Sequence, residues 1–130
     1  MYVFGVVLNL PFESALERVV AAIGAEGLGL VSDVNVQGIL QAKLGADIGG
    51  YRILGACSPR LAKGVIDAQP AAGVLLPCQV VVRRLGAGQT AVDFMDPQSV
   101  LALSGVPELL IIAKEARQML EQVKGRLTSE

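Results

Sequence analysis

The sequence predicts a single α+β domain over residues 1–130, in which helices cover one five-stranded sheet of mixed or largely antiparallel pairing. Three observations predict this class. Apolar, β-rich runs alternate with segments whose apolar residues recur at helical spacing. The last two β-rich runs flank the tight turn Gly86-Ala87-Gly88, which predicts a hairpin. A capping residue followed by proline occurs at Ser58-Pro59 and Asp96-Pro97, and each pair predicts the start of a helix.

The chain opens with a strand and an amphipathic helix. Tyr2–Leu8 is rich in β-formers and predicts the first strand. The helix is predicted over residues 12–23, with Pro11 suited to its first turn and Gly24 or Gly27 at its end. Its apolar residues follow the i, i+3, i+4, i+7 spacing: Phe12, Ala15, Leu16, Val19, Ala22 and Ile23.

The next segment predicts two strands that enclose a short helix. Leu28–Val34 predicts the second strand and Tyr51–Cys57 the third. Asn35 is a favourable N-cap for a helix over Val36–Leu44, and Gly45 follows the last helical residue.

The second half of the chain continues the alternation. The predicted elements are a helix over Leu61–Ala68, strands over Val74–Leu85 and Gln89–Met95, a short helix from Pro97 to about Ser104, and a long helix over Glu108–Leu127. Gln69-Pro70 and Gly105-Val106-Pro107 provide the breaks between helices. The long helix has a predicted core stripe of Leu109, Ile112, Ala116, Met119, Val123 and Leu127.

The amino-acid composition limits the functional classes to which the protein is expected to belong. Hydrophobic residues make up 52% and charged residues 18%, against typical values of about 45–50% and about 25%. The apolar excess favours an oligomer that hides surface in an interface. A net charge of -1, with 4% aromatic residues, predicts no nucleic-acid binding. Histidine is absent, which excludes Ser-His and Cys-His dyads and histidine metal ligands.

No export signal or membrane segment is predicted. The start of the chain lacks a basic region before its apolar residues. No apolar run approaches the ~18 residues that a membrane helix needs. With two cysteines and no export signal, we expect a cytoplasmic protein whose thiols are reduced.

The two cysteines are the most informative residues. Cys57 ends a predicted strand directly before the helix cap Ser58, a position that can activate a thiol or hold an anion. Cys78 follows Pro77, which predicts an edge or a bulge in its strand. Both cysteines could equally be small, buried core residues.

A paired role is possible if the two cysteines meet across neighbouring strands. Cys57 and Cys78 could then form a reversible disulfide or bind a soft ion such as Cu(I). Two thiolates are too few for a structural zinc site, although a dimer could supply four.

A second set of polar residues consists of Asp33, Asn35, Lys43, Arg52, Asp93 and Asp96. Lys43 and Arg52 flank the loop before the third strand and could bind a carboxylate or phosphate. Asp33 or Asp93 could act as a base if buried. The alternative is that these residues are helix caps, turn residues and solvated charges.

Several motifs together resemble the domain of unknown function 302 family of bacteria and archaea. They are Gly27-Leu28-Gly29-Leu30, Lys43-Leu44-Gly45, Tyr51-Arg52-Ile53-Leu54-Gly55-Ala56-Cys57, Leu75-Leu76-Pro77-Cys78 and Asp96-Pro97. The resemblance implies an α+β domain of TATA-binding-protein-like topology that is usually a homodimer. It implies no established activity.

These observations lead to one principal hypothesis and two alternatives. The principal hypothesis is a non-catalytic, cytoplasmic homodimer that binds a small ligand, an anion or a soft metal near Lys43, Arg52, Cys57, Ser58 and Cys78. The first alternative is a thiol-dependent redox enzyme with Cys57 as nucleophile and Cys78 as resolving thiol. The second is a structural or interaction module. The sequence identifies no catalytic residue, cofactor or complete metal-ligand set.

Overall fold

The structure is a computed structural model that describes residues 1–128. Its strands are β1 (Val3–Leu8), β2 (Gly29–Asn35), β3 (Tyr51–Cys57), β4 (Cys78–Gly86) and β5 (Gln89–Met95). Its α-helices are α1 (Phe12–Ala25), α2 (Val36–Leu44), α3 (Pro59–Ala68), α4 (Pro97–Leu101) and α5 (Pro107–Thr128). Short 3₁₀ turns occupy Pro70–Leu75 and Ala102–Ser104.

All five strands form one sheet in the order β1-β5-β4-β3-β2, and every pairing is antiparallel. The predicted α+β class is therefore confirmed, and the sheet is antiparallel rather than mixed. The strand order is consistent with the TATA-binding-protein-like topology. β1 and β2 form the two edges, which places β3 and β4 side by side.

The core lies between one face of the sheet and the helices α1 and α5. Because side chains alternate along a strand, every second residue of the inner strands points into this core. The fully buried strand residues are Leu54, Val80, Val82, Thr90, Val92 and Phe94. Phe4 of β1 stacks on Phe94 with ring centroids 5.2 Å apart. This packing fixes the position of α5 over the sheet.

Side-chain caps start three of the helices as predicted. The Gly38 N–H donates to Asn35 Oδ1 at 3.0 Å, at the start of α2. Ser58 Oγ accepts from the backbone of the third α3 residue at 3.5 Å, and Asp96 Oδ1 accepts from the Gln98 N–H at 3.0 Å. The Ser58 cap sets the direction in which the chain leaves β3, directly after Cys57.

The fourth strand begins later than the sequence predicts. We expected it to start at Val74, but that residue lies in the 3₁₀ turn, and β4 begins at Cys78. Pro77 has no N–H to donate to the sheet, so the strand starts just after it. The peptide bond between Leu76 and Pro77 is cis. The proline therefore precedes an inner strand and does not mark an edge.

Candidate functional site

A crevice lies where β3 ends and β4 begins, beneath α3 and beside α5. The space open to the centre of a water-sized sphere is only about 30 Å³, within about 440 Å³ of empty space that includes open solvent at the mouth. Ala56 of β3 pairs directly with Cys78 of β4, and Cys57 is the next residue of β3 after Ala56. The lining residues are Leu28, Ala56, Cys57, Ser58, Leu61, Ala62, Val65, Leu76, Pro77, Cys78, Leu101, Ile112, Ala116, Met119 and Leu120.

The two cysteines are free thiols, each partly buried in the wall of this crevice. Burial raises the pKa of the Cys78 thiol to about 11, and negative charge on Cys57 contributes to the rise. Cys78 is therefore a neutral thiol near pH 7.

The lining of the crevice is apolar rather than polar. Among residues 1–128, no Lys, Arg, Asp or Glu lines it, and the one hydroxyl residue in its lining, Ser58, already caps α3. The sequence led us to expect a polar hollow with charged residues. The structure instead offers sulfur atoms in an environment of hydrocarbon.

The structure brings together three of the five predicted site residues. Cys57, Ser58 and Cys78 share the crevice, whereas Lys43 and Arg52 do not line it. Arg52 begins β3 at the opposite end from Cys57, and five residues of strand span roughly 17 Å. Lys43 is exposed in the last turn of α2.

Met119 is a crevice residue that the sequence did not identify. Its helical spacing placed it in the predicted core stripe of the last helix, together with Ile112 and Ala116. These three side chains are only partly buried, and they line the crevice from α5. The i, i+4, i+7 spacing of Ile112, Ala116 and Met119 was the available signal, but it does not distinguish a core stripe from a crevice wall.

Comparison with known proteins identifies the family of the chain. The family model described as Domain of unknown function DUF302 matches residues 4–127. The chain belongs to the DUF302 family. It is also similar to the crystal structure of an uncharacterised conserved DUF302 protein from Bacillus stearothermophilus, with a TM-score of 0.88 and 26% identity over 98% of each chain. A search of curated proteins found no match.

The remaining polar candidates of this DUF302 protein have structural partners. Asp33 pairs with Arg52 at 3.2 Å. Asp93 pairs with Arg83 at 2.7 Å on the sheet face away from the core. Neither acidic residue lines the thiol crevice, and Asn35 and Asp96 act as helix caps.

Asp96 also belongs to a network near the start of α4. Burial opposes its ionisation, but hydrogen bonds from Ser99, Arg117 and the Gln98 N–H outweigh burial and lower the pKa of the carboxyl. Arg117 lies 3.1 Å from Asp96 and stacks over the Phe4 ring at 3.7 Å. This arrangement ties α4 and β1 to α5.

The described residues limit the kinds of metal and membrane association. Across residues 1–128, no group of three or more His, Cys, Asp or Glu side chains could hold a metal ion. Within the same residues, none of the helices combines the length and the apolar character needed to span a bilayer.

Proposed function

We propose that this DUF302 protein is a cytoplasmic, non-catalytic homodimer that binds a small soft or apolar ligand between Cys57 and Cys78. The observation that carries the proposal is the placement of two free thiols on one apolar crevice. Thiolates are soft ligands that favour ions such as Cu(I). The surrounding hydrocarbon excludes water and favours ligands that need no charged partner.

The lining argues against an anion as the ligand of this crevice. An anion taken out of water needs a positive charge or several hydrogen-bond donors to compensate for lost hydration. No lysine or arginine lines the crevice. An anion held by Lys43 and Arg52 would occupy a separate site, where Asp33 already pairs with Arg52.

Ligand-dependent stability tests the proposal. Anaerobic protein is melted alone, with Cu(I) and with Mg²⁺, because a ligand that binds the folded state raises the melting temperature. We expect Cu(I) to raise it in the wild type, with a much smaller effect in Cys57→Ser and Cys78→Ser. Mg²⁺ should have no effect. Equal shifts in all three proteins, together with no ligand in native mass spectra of gently purified protein, would favour an interaction module.

A redox function is the second candidate, supported by the proximity of the thiols. Cys57 as thiolate would attack a substrate disulfide, forming a mixed disulfide and releasing one substrate thiolate. Cys78 would then lose its proton and attack the Cys57 sulfur, which releases the second substrate thiol and leaves a Cys57–Cys78 disulfide. A reduced thiol compound would have to restore the dithiol.

Thiol alkylation separates the two candidates. The redox function requires Cys57 to be largely thiolate near neutral pH. In a Cys78→Ser variant, its alkylation rate should then already be on a plateau at pH 7. A rate that still rises steeply above pH 8 would remove the redox candidate and leave the binding function intact.

The segment from β2 to α2 supports the homodimer part of the proposal. All seven residues of β2 are exposed, and none of the nine residues of α2 is buried. An isolated helix of this length is marginal in water. The segment also exposes apolar side chains at Leu30, Val31, Val34, Ile39 and Leu44, and the loop that follows α2 exposes Ile48.

The size of this β2–α2 segment suits a second copy of the chain. With the loop that follows α2, it approaches the about 20–30 residues that each side of a stable interface contributes. It carries both signs of charge, at Asp33, Lys43 and Asp47, so no excess of one sign opposes self-association. A two-fold axis would let the same surface serve both subunits.

A further inference from the structure

We propose that the thioether of Met119 completes a three-sulfur Cu(I) site with the thiols of Cys57 and Cys78. This inference rests on the proposed function of the same crevice and names its ligand. Three elements that are distant in sequence supply the sulfur atoms, namely the end of β3, the start of β4 and the middle of α5. All three residues line one crevice.

The position of Met119 makes it available to a ligand. It is partly buried and packs against the same core cluster as Cys78. Leu120, its neighbour on α5, is almost fully buried and already fills the core at this level. The side chain of Met119 is unbranched and flexible, so its sulfur can move toward a bound ion without displacing the helix.

The donor set suits Cu(I) better than other biological metals. Thiolate and thioether sulfur are soft donors that select Cu(I). Structural zinc sites are almost always tetrahedral and use four ligands drawn from Cys, His and carboxylates. Mg²⁺ and Ca²⁺ need oxygen ligands, and no carboxylate from the described part of the chain lines the crevice.

The charges and protons of the binding step balance. One Cu(I) ion replaces the thiol protons of Cys57 and Cys78, the displaced protons pass to solvent, and the site with its ion carries one net negative charge. The N-terminus of α3, which begins at Pro59, provides the positive end of a helix dipole next to Cys57.

A competition titration tests the role of Met119. Anaerobic protein competes with bicinchoninate for Cu(I), in the wild type and in Met119→Leu, Met95→Leu, Cys57→Ser and Cys78→Ser. We expect Met119→Leu to weaken binding by about 10- to 100-fold, the range typical for loss of a supporting interaction at a metal site. Met95 is the matched control, because it lies on β5 opposite Val3 and does not line the crevice. Met95→Leu should bind as the wild type does.

X-ray absorption provides a reading that a purely structural role of Met119 would not change. In protein labelled with selenomethionine, the selenium edge should show a copper neighbour in the Cu(I) complex. That neighbour should vanish in labelled Met119→Leu and persist in labelled Met95→Leu. The labelled wild type gives an answer even if the Met119→Leu variant folds poorly.

The outcomes separate this inference from the proposed function. If Met119→Leu binds Cu(I) as tightly as the wild type and selenium has no copper neighbour, the Met119 ligand is overturned while thiol-dependent binding stands. If both cysteine variants also bind like the wild type, the proposed function itself fails.

Discussion

The Cys78 thiol shows how burial controls chemistry at a single residue. The crevice wall keeps it from water, and burial with the nearby Cys57 charge raises its pKa from 9.0 to about 11. A thiol that is neutral near pH 7 suits the role of a metal ligand, because a soft ion can replace its proton when the ion binds. It does not suit a nucleophile, which must be a thiolate.

The raised pKa of Cys78 predicts that the free energy of unfolding falls in alkaline solution. Between pH about 9 and about 11, the unfolded chain has released the Cys78 proton while the folded protein retains it, so rising pH favours unfolding. Relative to Cys78→Ala, the wild type should lose up to about 3 kcal/mol over this range. Urea unfolding of both proteins at several pH values measures the difference. Parallel pH curves would contradict the assignment.

The contacts of Arg117 predict a second effect of a single residue on stability. Arg117→Ala removes the ring contact with Phe4 and leaves the buried Asp96 carboxylate without its cation, which should cost about 1–3 kcal/mol. Lys63→Ala is the control, because the Lys63–Asp67 pair is exposed to solvent and its loss should change stability much less. Urea unfolding measures both variants. Equal losses of stability in the two variants would show that the contacts of Arg117 do not stabilise the fold.

At the scale of elements, the sequence predicts most boundaries because local signals determine them. β3, α2 and β5 have the predicted bounds. Asn35 and Gly45 fix both ends of α2, and Gly45 adopts φ +64°, a conformation that favours glycine. The predicted start of β4 was wrong because a short apolar run does not distinguish a strand from a partly buried 3₁₀ turn.

The candidate site was predictable only in part. The antiparallel pairing of β3 with β4 brings the thiols together, and the sequence order suggested that pairing. The apolar wall was not predictable, since Ile112 and Met119 come from a helix more than thirty positions further along the chain. Lys43 and Arg52 were included as cations that flank the loop before β3 and could bind an anion, but an extended strand carries Arg52 away from Cys57.

Gly55 predicts an effect on strand packing beside the crevice. A Cβ at this buried position would collide with the Ser32 hydroxyl and lie 2.7 Å from the Pro77 ring. Gly55→Ala should therefore destabilise the fold by about 1–3 kcal/mol. Gly125→Ala is the matched control, because that position in α5 is open and alanine favours the helix by about 0.5–1 kcal/mol. Denaturant unfolding that shows no loss in Gly55→Ala would contradict this packing.

At the scale of the whole molecule, the β2–α2 segment predicts self-association. Val31 is 61% exposed in β2, so Val31→Lys should leave the fold of one chain unchanged and break the interface. Sedimentation equilibrium should give the mass of two chains for the wild type and of one chain for the variant. Leu103→Lys, at a site 77% exposed on a different surface, should remain dimeric. A monomeric wild type would refute the homodimer.

The account depends most on whether Cys57 and Cys78 open together into one crevice, and phenylarsine oxide tests this directly. Its arsenic atom bonds both sulfurs of a neighbouring thiol pair with loss of one water molecule, and single thiols hold it only weakly. Intact mass spectra after removal of excess reagent should show one arsenical per wild-type chain and none on Cys57→Ser or Cys78→Ser. A wild type that retains no arsenical under native conditions, yet retains it after unfolding, would show that the folded protein keeps its two thiols apart.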